Sequence, residues 1–377
     1  MEWVGRGNKD MKVAIIVPII GNFGRKGFYH SQEIGLGKEM AKHGNNVTVY
    51  KCVPVGSMKN ITVEKNDGIT IKYIPTKSFG PHGMLDVDLI DTDTNIAFVF
   101  SDTQFVVPKL YKYCKKNNIH FVPYVGIAHS FQQNFKSKLM DMLFKLTTLK
   151  VYKKVTVIAK TLDAKNELKE LGVKKCVVAP VGMDFEALKI DYEQYDRSKI
   201  REEFGFKDDD VIISFVARLQ PEKHPLELLD IFMQVKQQHK KLLIVGKGPL
   251  AKAVYEKIEK LNIAQQVVVL PEVKYEEMWK VHYISDYFLN LRAEEIFGMA
   301  IMEAIYYKSC VIALRAPGPN TILEGTRGHY LCNSFSDVSK IISQNTINQD
   351  DLQFSKNKLE KEFTWANVLE KIEEMKW

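Results

Sequence analysis

Glu295 and Glu303 stand with seven residues between them, and Phe297-Gly298 falls inside that interval. A helix starting near Phe297 has free N–H groups and a positive dipole end, so an anionic phosphate is favoured at Gly298. Glu303 then lies inside the helix, where a carboxylate can still accept hydrogen bonds from sugar or ribose hydroxyls. A phosphate flanked by two polyols is the outline of a nucleotide sugar.

Such a donor loses a nucleoside diphosphate, and its barrier falls when fixed positive charge waits where the departing oxygens become negative. Arg218 directly follows the apolar run Val211–Ala217, at the carboxyl end where open α/β sheets bind ligands, and its fork can grip phosphate oxygens in pairs. Lys223, five residues on, offers a point charge. Taken alone, both residues also fit surface ion pairs, with Glu222 at hand. His129 follows the run Phe121–Val125 and is open to a structural or a functional reading. Gly246 and Gly248 fit a turn beside the nucleotide better than a phosphate cradle.

These residues need parallel strands to position them. Short apolar runs alternate with helical patterns, which predicts parallel sheets covered by helices. In the first half the runs are Val13–Val17, Val47–Tyr50, Ala97–Phe100, Phe121–Val125, Val155–Ile158 and Cys176–Ala179. In the second they are Val211–Ala217, Leu242–Val245, Val267–Leu270, Tyr287–Leu291 and Val311–Leu314. The polar stretch from Asp184 to Glu202 reads as the linker.

An ordered series of segments resembles the retaining, GT-B-fold glycosyltransferases of the family 4 type (glycosyl transferases group 1). It comprises the Glu295/Glu303 signature, Arg218-Leu-Gln-Pro-Glu-Lys223 after its strand, Gly246-Lys-Gly-Pro249, Lys12-Val-Ala-Ile-Ile-Val17, and Pro180-Val-Gly-Met-Asp184. The series runs from about residue 12 to about residue 372. The resemblance implies an α/β fold of two Rossmann-like domains whose parallel sheets face across a cleft. Residues 1–185 would be the acceptor-side domain and 186–360 the nucleotide-sugar domain, with 361–377 a terminal helix crossing back to the first.

The resemblance also implies roles. Arg218 and Lys223 would stabilise the leaving diphosphate, Glu295 would touch the transferred sugar, and Glu303 the ribose. Phe297, Gly298 and Met299 would offer backbone N–H groups to sugar and phosphate, with Gly246 and Gly248 beside the nucleotide. His129 would face acceptor and donor sugar, and Gly27 would let the acceptor-side loop approach the diphosphate. Retention by double displacement needs a second carboxylate about 5 Å from the first, and none stands out. The family's alternative is front-face substitution, in which the acceptor hydroxyl gives its proton to a departing phosphate oxygen. The chain departs from the pattern at Phe28, at Tyr307-Lys308-Ser309-Cys310, and at Asn290-Leu291-Arg292, where the family commonly shows Pro-Ser.

The 377 residues suit two cores, and 45% apolar with 26% charged residues reads as a soluble globular protein. No run approaches the roughly 18 apolar residues of a membrane helix. The first ten residues lack the apolar centre of a signal peptide, and Met11 is an alternative start. Five scattered cysteines without a Cys-x-x-Cys pair argue against zinc or a disulfide framework and for a cytoplasmic location. No cluster has metal-ligand spacing, so no metal is expected; the donor, such as a UDP-sugar, is a substrate rather than a cofactor.

Charge is divided unevenly. Residues 1–190 hold 28 Lys and Arg against 17 Asp and Glu, a net of +11, and the remainder hold 25 against 29, a net of −4. No aromatic-interleaved basic motif points to nucleic acid. An anionic membrane surface or acceptor is the better partner. Residues 135–154 carry six lysines, one acid and a long apolar face. They fit an interfacial helix at the inner face of a membrane or a core-packing helix, and periodicity does not separate the two. The expected function is hexosyl transfer from a nucleotide sugar to a carbohydrate or lipid-linked acceptor in surface-polysaccharide assembly. Its rivals are a nucleotide-sugar epimerase and a non-catalytic sugar-nucleotide binder.

Overall fold

The computed structural model of the chain describes residues 10–20, 31–130, 135–344 and 346–374. They form two compact units, residues 1–184 with 363–377, and residues 185–362. Gly27 and Phe28 lie outside the described residues.

The first unit contains strands β1 (Lys12–Val17), β2 (Asn46–Pro54), β3 (Thr62–Asn66), β4 (Ile69–Thr76), the short pair β5 (Ser78–Phe79) and β6 (His82–Gly83), β7 (Ile96–Phe100), β8 (His120–Val125), β9 (Val157–Ala159) and β10 (Cys176–Val178). Eight of them make one sheet in the order β10-β9-β8-β7-β1-β2-β4-β3. Every neighbouring pair in it is parallel except β3 with β4. Helices α1 (Gln32–Lys42), α2 (Val107–Lys116), α3 (Phe135–Leu146), α4 (Thr148–Tyr152) and α5 (Leu162–Glu170) connect the strands. The central strands β1, β7 and β8 are buried along nearly their whole length, which is why they read as unbroken apolar runs. The β3–β4 hairpin is an addition to the expected strands, although its Asp67-Gly68 turn, with both residues at positive φ, is a strong hairpin signal.

The second unit begins with α6 (Phe185–Leu188) and α7 (Arg197–Glu203). Its sheet runs β13 (Val267–Leu270), β12 (Lys240–Val245), β11 (Val211–Val216), β14 (Tyr287–Asn290), β15 (Cys310–Leu314) and β16 (Tyr330–Cys332), parallel throughout. Helices α8 (Pro225–Gln234), α9 (Ala251–Lys260), α10 (Tyr275–Ile284), α11 (Met299–Tyr306), α12 (Pro317–Leu323), α13 (Phe335–Gln344) and α14 (Gln349–Glu362) complete it.

The polar stretch after Asp184 is not a free linker. Tyr192 is buried among Tyr283, Tyr306 and Tyr307. Arg197 and Arg201 both reach Asp286 at 2.9 Å, and Arg201 also donates to the carbonyls of Asp208 and Asp210. The Arg201 guanidinium can be buried there because both its Nη atoms are met by carbonyls and by Asp286, although its Nε has no partner among the described residues.

The last helix, α15 (Trp365–Glu373), belongs to the first unit. Thr364 caps it by accepting from the Asn367 N–H at 3.1 Å, and the Met183 N–H donates to the Phe363 carbonyl at 2.8 Å. Trp365 fills space that only glycines leave open: a Cβ on Gly35 would lie 2.0 Å from its indole, and one on Gly182 2.6 Å from it.

The apolar residues of helix α3 are divided between an exposed and a buried face. Phe135, Leu139, Met142 and Leu146 form an i, i+4, i+7, i+11 stripe that is exposed, while Phe144 is buried and packs edge-on against Tyr152. Among the described residues no helix is long and apolar enough to cross a membrane.

Candidate active site

In the second unit, β11 and β14 are neighbours, so their carboxyl ends deliver two loops to one place. A pocket of about 160 Å³ opens there, lined by Ala217, Lys223, Asn290, Glu295, Gly298 and Met299 among others. The Lys223 Nζ donates to Glu295 Oε2 at 2.7 Å, and Arg292 Nη1 stands 3.6 Å from Glu295 Oε1. Lys223 thus pairs with Glu295, 72 residues away, and not with Glu222.

Helix α11 begins at the wall of this pocket. Its cap, Gly298, sits at φ 103° and offers no side chain to the first N–H groups. The positive end of the helix therefore faces the pocket, which favours an anion. Phe297 is buried, and its carbonyl presses on Gly318, where a Cβ would come within 1.9 Å. The Gly318 N–H donates to the Glu295 carbonyl at 3.0 Å, so α12 holds the loop that carries Glu295.

Arg218 lies on the same β11 loop as Lys223 and is exposed, making no ion pair among the described residues. With the Gln220 amide oriented to satisfy both neighbours, its oxygen accepts from Arg218 Nη2 at 3.1 Å and its nitrogen donates to Glu222 at 2.9 Å. Gly246 and Gly248 support this loop from beneath. A Cβ on Gly246 would fall 1.9 Å from the Ala217 carbonyl oxygen, and one on Gly248 2.3 Å from that of Leu219. The Leu219 N–H donates to the Lys247 carbonyl, and the Leu219 carbonyl accepts from the Leu250 N–H.

Glu303 is not part of the Lys223–Glu295 pocket. It is buried, with Oε2 3.1 Å from His282 Nε2, and lines a second cavity of about 180 Å³ with Trp279, His282 and Tyr307. The His282 ring stacks on Tyr307, and burial raises the Tyr307 hydroxyl pKa. His282 carries no signal in the sequence, its partner Glu303 lying 21 residues on, and Arg292 is marked there only as a departure from the family pattern.

In the first unit His129 follows β8 and is half exposed. Its Nδ1 lies 2.5 Å from Glu167 Oε1, while Glu167 Oε2 accepts from the Ala128 N–H at 3.3 Å. A carboxylate on one ring nitrogen orients the imidazole. Lys160, at the end of β9, is buried between the rings of Phe100 and Tyr124, 5.4 and 5.3 Å from their centroids. Burial lowers its pKa, opposed by Asp102. The five cysteines are free and buried, and burial pushes the Cys114 and Cys310 thiols up to about 12. Among the described residues one group could hold a cation, Asp209, Asp210 and His239, at the amino ends of β11 and β12 rather than at the pocket.

The fold is GT-B. The chain superimposes on HepE of Anabaena, solved in complex with UDP, with a TM-score of 0.72 at 16% identity, covering 96% of this chain and 98% of that one. Residues 196–343, within the second unit, match the family described as Glycosyl transferases group 1. The chain is 27% identical over 143 residues to N-acetyl-alpha-D-glucosaminyl L-malate synthase of Bacillus anthracis, covering 37% of each protein. It is 25% identical over 201 residues to lipopolysaccharide 1,2-N-acetylglucosaminetransferase of Salmonella typhimurium, covering 48% of this chain and 52% of that relative. The matches thus span about half or less of these curated relatives.

Proposed function

We propose that the protein is a retaining hexosyltransferase that moves a sugar from a nucleotide-diphosphate donor to a carbohydrate or lipid-linked acceptor in surface-polysaccharide assembly. The observation that carries this reading is the convergence of Lys223, Glu295 and the amino end of α11 on one pocket at the carboxyl ends of β11 and β14. The diphosphate lies against the helix end, with Lys223 and the exposed Arg218 taking up charge as it departs. Glu295 accepts hydrogen bonds from the transferred sugar, and Glu303 serves the ribose after turning from His282. Both phosphate-facing cations belong to the chain, so the leaving group is stabilised without a metal. HepE, whose structure holds UDP, makes UDP-sugars the first donors to try.

His129, oriented by Glu167, faces the reacting sugar, and the Gly27 loop serves the acceptor side. The exposed stripe of α3 and lysines 138, 145 and 150 support peripheral docking on an anionic membrane. The deciding experiment screens nucleotide sugars by thermal stabilisation and follows the best with acceptors by mass spectrometry. A new glycoside linkage supports the reading; epimerised donor without acceptor, or binding without turnover, overturns it.

A further inference from the structure

In the pocket one carboxylate is shared by two cations. Lys223 is on Glu295 Oε2 at 2.7 Å, and Arg292 faces Oε1 at 3.6 Å. The side chains of Lys223, Glu295 and Arg292 are 23%, 12% and 20% exposed, so their charges interact with little screening from water. Arg292 is placed by its own backbone: its N–H donates to Asn290 Oδ1 at 3.2 Å, and Asn290 ends β14, in register with Ala313 of β15.

With the pocket read as a donor site, as above, a conflict follows. Lys223 is the cation wanted by the diphosphate, yet it is held by Glu295. Moving it to phosphate strips a largely buried carboxylate of its hydrogen-bonded partner, an expensive change unless a second cation remains. The geometry points to Arg292 as that cation. We propose that Arg292 is a positioning residue that holds Glu295 through Oε1 while Lys223 passes from Oε2 to the donor diphosphate. At 3.6 Å the guanidinium is just beyond hydrogen-bond length, and it closes on Oε1 as Lys223 leaves. Glu295 then stays ionised and in place for the sugar, and one cation is released for each donor bound. The guanidinium stands where the sequence departs from the Pro-Ser pattern, so this exchange belongs to this chain's own residues.

The test is a double-mutant cycle read by calorimetric titration with UDP, ADP and GDP. Wild type binds at least one of them; binding of none overturns the donor-site reading and this inference with it. For the diphosphate that binds, Arg292→Ala raises Kd about tenfold, because Lys223 stays on Glu295. Adding Glu295→Gln to Arg292→Ala restores Kd to within about threefold of wild type, since no carboxylate then retains Lys223. Arg292→Lys, which keeps a cation near Oε1, is the milder change. A general structural defect would not be repaired by a second substitution. Unchanged affinity in Arg292→Ala overturns the inference while leaving the donor site intact, and failure of Glu295→Gln to rescue overturns it too, making Arg292 a direct phosphate ligand instead.

Discussion

Glu295 and Glu303, on either side of the Gly298 turn, open onto different cavities: Glu295 onto the pocket with Lys223, and Glu303 onto the one with His282. The left-handed backbone at Gly298 redirects the chain between them, so the start of α11 stands at one wall while Glu303 points back toward α10. The two carboxylates therefore differ in what they hold up. Glu303→Ala strands a buried histidine and is expected to cost about 2–4 kcal/mol of stability. Glu295→Gln, which keeps an oxygen to accept from Lys223, is expected to cost less than Glu303→Ala. Urea melts of the two variants measure both, and equal losses would contradict the division.

Replacing Lys223 or Arg218 by Ala is expected to lower kcat by roughly 10²–10³, because each is assigned to charge that develops as the diphosphate departs. The folded state of Arg218→Ala should be little changed, Arg218 being exposed, whereas Lys223→Ala also takes from Glu295 its hydrogen-bonded partner. Steady-state kinetics at wild-type turnover in both variants would remove them from the mechanism.

Transfer is expected to persist in excess EDTA, since Lys223 and Arg218 are proposed to take up the charge of the departing phosphates. Activity abolished by chelator and restored by Mg²⁺ or Mn²⁺ would show that the leaving group departs from a metal.

Retention predicts an α-linked first product from an α-linked donor, readable from the anomeric proton signal. Glu295→Gln should impair turnover more than donor binding, as its contacts strengthen when the sugar gains positive charge. A β-linked first product would rule out retention.

Vesicle binding is expected to need both the exposed stripe of α3 and the lysines of the same segment. Changing Lys136, Lys138, Lys145 and Lys150 to Gln should weaken co-sedimentation with anionic vesicles several-fold, most at low salt, without altering donor affinity. Leu139→Ser with Met142→Ser should weaken it further. Equal binding to neutral and anionic vesicles would leave the lysines as solvated surface.

Much of the fold and part of the site are legible in the amino-acid order, for reasons visible in particular residues. Val211–Val216 and Leu242–Val245 are covered on both faces and so read as apolar runs, and a reader who finds the strand end finds Arg218. The Lys223–Glu295 pair is not legible as a pair, because contact across 72 residues depends on β14 returning beside β11. His282 and Glu167 carry no local signal at all. The exposure of Phe135, Leu139, Met142 and Leu146 cannot be read either, since an apolar stripe looks the same whether or not something covers it.

The place of Trp365 has a consequence for how the chain reaches its native state. Residues 185–362 are one continuous stretch and are complete as soon as they leave the ribosome, whereas the first unit lacks α15 until all of them have been made. Until then the slot between Gly35 and Gly182 has no indole to fill it. The unit made first is therefore the one completed last, the reverse of the usual amino-to-carboxyl order of domain folding during synthesis.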